Sequence, residues 1–133
     1  MNICKKILLF HVDGKKASRI QTLCRTLHFQ TKIVSGTQYR NSLGYVAGIT
    51  GIPPIGQDDH TGLTDLSHDP FQKEMLIFSG MTSEELDLFL SSYRESGMEP
   101  IALKAVITPD NVFWSIGRLY RELEKEHSRL NKH

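Results

Sequence analysis

The chain has 133 residues, 39% of them hydrophobic, and its 16 basic side chains nearly balance its 15 acidic ones, for a formal charge of +1. That length suits one domain with a real core. No apolar run reaches the roughly eighteen residues a membrane span requires, and the even balance lacks the basic excess of a nucleic-acid binder.

The first predicted element is a strand over Lys6 to Val12. Lys5 and Lys6 stand before its apolar run, but Ile7 to Phe10 is too short for a signal peptide and no small-residue cleavage site follows. A cytoplasmic protein is therefore expected. Asp13 and Gly14 make a turn, and Lys15 to Leu27 reads as a helix with Ile20, Leu23, Cys24 and Leu27 on one face. Thr31 to Val34 is a short second strand. Ser35 and Gln38 have capping-box spacing, so a second helix is expected from about Thr37 to Ala47, although Gly44 and Gly48 are poor helix formers. Cys4 and Cys24 lack any metal spacing and read as reduced core thiols.

Residues 51–72 differ in kind. Glycine, proline, aspartate and histidine alternate there, which marks a long loop. Asp58, Asp59, His60, Asp65, His68 and Asp69 are of metal-ligating type, but their spacing matches no defined site. A solvated loop explains them, and no metal or other cofactor is expected.

Met75 to Ser79 is the third strand. Thr82 and Glu85 form a capping box for a helix that buries Leu86, Phe89, Leu90 and Tyr93. Gly97 ends it in a left-handed cap, with Met98 as its apolar partner. Ile101 to Ile107 is a fourth strand, broken only by Lys104. Thr108 reads as an N-cap, Pro109 as the first helical residue, and Asp110 meets the positive helix end. The expected helix carries Val112, Phe113, Ile116, Leu119, Tyr120 and Leu123 on one face. Its polar tail should fray from about Ser128.

Phe78 to Leu86 (FSGMTSEEL) and Leu103 to Trp114 (LKAVITPDNVFW) together resemble a bacterial family catalogued as domain of unknown function 3783. The matching positions are Phe78, Ser79, Gly80, Lys104, Thr108, Pro109, Asn111 and Trp114, within about Met75 to His127. The resemblance implies no activity, because that family has none established.

The two halves look alike. Phe10 and Phe78 stand in similar strand positions, and Asn41 to Gly44 resembles Trp114 to Gly117. We read a single domain: a β-α-β-α half over residues 1–50, the loop over 51–72, and a second half over 73–133. An α/β fold follows, with a small, mostly parallel sheet of about four strands in the order 2-1-3-4 and helices on both faces. A ferredoxin-like α+β sheet with an extra C-terminal helix is the alternative, preferred if Thr37 to Ala47 is not helical.

Ligands of open α/β sheets bind beyond the carboxyl ends of the strands. The candidate ligand-binding residues on that edge are His11, Asp13, Ser79, Gly80, Lys104, Thr108, Asn111 and Trp114. Helix N-termini there suit an anion, although ordinary capping explains the same residue types. No P-loop or dinucleotide fingerprint is present. The expectation is a binding or regulatory module for an anionic small molecule or a protein partner, not a membrane protein. An enzyme using His11, Asp13 and Lys104 is the alternative. Another is a nucleic-acid-associated protein using the basic first half and a stripe of Trp114, Arg118, Arg121 and Lys125, which Glu122, Glu124 and Glu126 dilute.

Overall fold

The computed structural model of the chain describes residues 5–56 and 73–130. The loop carboxylates and histidines and Cys4 lie outside them. The elements run β1 (Lys6–Phe10), α1 (Gly14–Thr26), β2 (Gln30–Val34), a 3-10 turn (Gly36–Gln38), α2 (Leu43–Ala47), β3 (Met75–Ser79), α3 (Ser83–Glu95), β4 (Leu103–Val106) and α4 (Ile116–Leu130).

The sheet order is β2-β1-β3-β4, as expected. Each β-α-β unit makes its own parallel pair, β1 with β2 and β3 with β4. The units meet through β1 and β3, which are antiparallel, with Lys6 opposite Ser79 and Phe10 opposite Met75. The sheet is therefore mixed rather than mostly parallel. A continuous apolar run reports burial on both faces and is silent on direction. The strands of each unit are immediate neighbours, not split by another strand, which excludes the ferredoxin-like alternative.

Alternation of side chains along the strands divides the core into two layers. Leu8, Phe10, Val34, Met75, Ile77 and Leu103 pack under α2 and α4 through Leu43, Val46, Ile116, Leu119 and Tyr120. Ile7, Leu9, Leu76 and Phe78 pack under α1 and α3 through Ala17, Ile20, Cys24, Phe89 and Tyr93. Phe10 and Phe78 thus lie on opposite faces, so they are not equivalent. The true counterpart of Phe10 is Ser79, because each stands three residues before a helix cap, Asp13 for α1 and Thr82 for α3. Those two helices have 13 residues each.

Two expected helices begin late, for one reason. The residues before α2 and those before α4 pair with each other. Leu43 N–H donates to Trp114 O at 2.9 Å and Ile116 N–H to Asn41 O at 3.0 Å. Gly44 N–H reaches Val112 O at 3.0 Å, and Gly117 N–H reaches Tyr39 O at 2.8 Å. Ser42 and Ser115 face each other at the centre of this ladder. Each bond has its counterpart with the halves exchanged, so a pseudo-two-fold axis passes here and through Leu8 and Ile77. The segment 37–47 therefore holds a turn, a short extended stretch and one helical turn. Likewise Thr108 caps a turn, not α4.

Candidate functional site

Because β1 and β3 are antiparallel, the carboxyl ends of the strands form two rims at opposite ends of the sheet. His11 and Asp13 lie at the rim where β1 and β2 finish. Ser79, Gly80, Thr108 and Asn111 lie at the rim where β3 and β4 finish, held together by the bond from Ile107 N–H to Phe78 O at 2.9 Å. The eight candidate residues do not converge.

At the first rim the polar groups serve the fold. The Asp13 side chain accepts from Lys15 N–H and Lys16 N–H, capping α1. Its own N–H donates to Glu74 Oε2 at 3.2 Å, and Lys16 Nζ reaches Glu74 Oε1 at 2.6 Å. Burial alone would lower the Lys16 pKa, but the hydrogen bond and charge of Glu74 raise it above the ordinary value. His11 is exposed with its backbone in the left-handed region, φ 63.

The second rim carries a closed box. Asn111 Oδ1 accepts from Thr108 N–H at 2.8 Å, and Asn111 Nδ2 donates to Val106 O at 3.0 Å. Thr108 Oγ1 accepts from Asp110 N–H at 3.2 Å and Asn111 N–H at 3.3 Å. The first half repeats this: Ser35 N–H donates to Gln38 Oε1 and Thr37 N–H to Ser35 Oγ. Thr108 and Asn111 are thus taken up by local structure. Lys104 is exposed on an edge strand, where a charge discourages pairing with another chain. Trp114 is half-buried against the α2–α4 layer, with the Arg118 guanidinium 3.9 Å from its ring centroid. It stands before α4 rather than in a helical stripe with Arg121 and Lys125.

A different pair of cations stands at this rim. Lys6 Nζ donates to Ala47 O and Lys32 Nζ to Val46 O, each at 3.0 Å. Both ammonium groups therefore sit on consecutive carbonyls at the end of α2. Among the described residues neither meets a carboxylate. The basic side chains Lys5, Lys16 and Lys73 do, pairing with Glu85, Glu74 and Glu124. Ser79 is the register partner of Lys6, so its side chain leaves the sheet on the same face. Ser79 is 6% exposed, and its hydroxyl makes no hydrogen bond among the described residues. Sequence reasoning named Ser79 but passed over the two lysines, although a signal existed. Lys6 precedes Leu8 by two residues and Lys32 precedes Val34 by two, so both share the inward face.

A groove of about 370 Å³ separates α1 from the end of α3, lined by Arg19, Leu23, Ser96 and Met98 among others. Its threonine hydroxyls turn back onto α1, Thr22 to Ser18 O and Thr26 to Thr22 O. Arg19 Nη2 is bonded to Ser96 O. Polar groups do not converge there as they do beside α2. Among the described residues no helix is long and apolar enough to cross a membrane.

Residues 74–130 match the model of the family described as Domain of unknown function (DUF3783). That span is the second β-α-β-α half. No curated protein and no solved structure matches the chain.

Proposed function

We propose that the chain is a small binding module that takes an anionic group at the second rim, between Lys6 and Lys32. The observation that carries this reading is the pair of ammonium groups on consecutive carbonyls, with no carboxylate paired to either among the described residues. Each ammonium has three donors and spends one on α2. Capping α2 explains one lysine. A second like charge on the next carbonyl adds repulsion that a bound anion would relieve. The buried Ser79 hydroxyl would supply the neutral donor to the same anion. The module works in the cytoplasm, where a reduced thiol such as the buried Cys24 persists.

The test is a titration of the full chain with inorganic phosphate, followed through backbone amide shifts. Saturable shifts are expected at Lys6, Lys32, Gly48 and Ser79. Lys32→Met should weaken binding by roughly tenfold and lower the urea midpoint only slightly, through loss of its one bond to Val46 O. Absence of saturable binding to phosphate and to sulfate overturns the reading.

A further inference from the structure

Resting on that reading, we infer that the ligand is an organic phosphate ester whose apolar or aromatic body lies on Tyr45 and Ile49. Two arguments meet here. The first concerns the charged group. An ammonium is a compact point charge, whereas planar carboxylates are matched by the guanidinium fork of arginine. Two lysines and a serine hydroxyl therefore suit a tetrahedral oxyanion better than a carboxylate.

The second concerns what surrounds it. α2 buries Leu43, Gly44, Val46 and Ala47, yet leaves Tyr45 48% exposed. Gly48, with φ 86, turns the chain at the end of α2, and Ile49 follows it 41% exposed. A Cβ built on Gly48 would stand 3.4 Å from Lys6 Nζ, so the ammonium lies against this turn. Gly48 N–H donates back to Tyr45 O at 3.0 Å, so the Tyr45 backbone belongs to the same turn. An aromatic and a branched aliphatic residue thus stand exposed within a few positions of the carbonyls that hold the ammonium pair. Inorganic phosphate would leave both in water. An ester would cover them, and burial of apolar area adds affinity that charge alone does not.

The experiment is calorimetry on the full chain with two probes, inorganic phosphate and phenyl phosphate. Phenyl phosphate is expected to bind roughly tenfold more tightly. Tyr45→Ser and Ile49→Thr together should abolish that preference and leave the affinity for inorganic phosphate within about twofold. A second readout needs no variant: phenyl phosphate, unlike inorganic phosphate, should give ring-current shifts at the Ile49 methyls of the parent chain. Equal affinity for the two probes, or no ring-current shift, overturns the ester and leaves the anion site standing. Failure of both probes to bind overturns the ester and the anion site together.

Discussion

Four backbone positions at the ends of matching elements show how the two halves solve the same problem with different residues. His11 and Gly80 follow β1 and β3, and His28 and Gly97 follow α1 and α3. All four are left-handed, with φ of 63, 73, 65 and 78. Glycine adopts this region without a Cβ penalty, whereas histidine does not. His28→Gly should therefore raise stability by about 0.5–1 kcal/mol, and Gly97→His should lower it by a similar amount, read from urea midpoints. Gly56 has a steric role instead. A Cβ there would stand 2.4 Å from Ser115 N and 2.5 Å from its Cα, and backbone cannot swing aside. Gly56→Ala is expected to cost about 2–3 kcal/mol. Gly97 was legible as a cap because an apolar residue follows it. The histidines were not, since nothing local marks them as left-handed.

Cys24 carries a pH signature. Burial pushes its thiol up to about 12 from the ordinary 9.0. Below pH 9 both folded and unfolded chains keep the proton, and stability is unaffected. Above it the unfolded chain loses the proton first, so stability falls as pH rises toward 12, by up to about 1.4 kcal/mol per unit. The Lys16–Glu74 pair acts in the same direction, because a raised lysine pKa gives stability that is lost at alkaline pH. The Cys24 share is isolated by comparing the parent with Cys24→Ala. The variant should show the shallower alkaline slope, whatever its absolute stability.

At the scale of elements, caps were readable and partners were not. The box of Thr82 and Glu85 forms with both reciprocal bonds, and α3 starts where that spacing says. Thr108 and Asn111 have similar spacing but close a turn, because the next residues are drawn into the ladder with 39–44. That ladder joins segments far apart in the chain, and no local window contains it. The same ladder moves Asn111 from ligand candidate to structural residue. Asn111→Ala should cost about 1–2 kcal/mol, from two lost side-chain bonds, and leave phosphate affinity unchanged. If affinity fell with the fold intact, the binding site would include Asn111 after all.

The basic first half meets carboxylates of the second in two ion pairs. Lys5–Glu85 and Lys16–Glu74 both join the first half to the second. What could not be read was the direction in which the halves meet. Apolar strands β1 and β3 specify burial, and both parallel and antiparallel neighbours satisfy it. The single-rim expectation depended on that missing bit, so His11 and Asp13 were grouped with Thr108 and Asn111. The two inward lysines escaped for a related reason. Their importance lies in the α2 carbonyls, which approach them only once β2 and α2 are folded together.

The pseudo-two-fold axis has a consequence for the whole molecule. β3 is buried along its whole length, and one of its edges is satisfied only by β1. The family match covers this half and not the other. Taken alone, residues 73–133 would expose that edge and the Leu43 and Val46 side of the α4 layer, more apolar surface than so short a chain can leave in water. A second copy rotated about the same axis would present β3 to β3 antiparallel, and segment 112–117 to its own copy, as the first half now does. The fragment is therefore expected to sediment as a symmetric dimer that dissociates and unfolds in one concentration-dependent step. A folded monomer would mean that the second half needs no such partner. An unfolded fragment at high concentration would mean that the differences between the halves, Phe10 against Ser79 above all, are too large for one to replace the other.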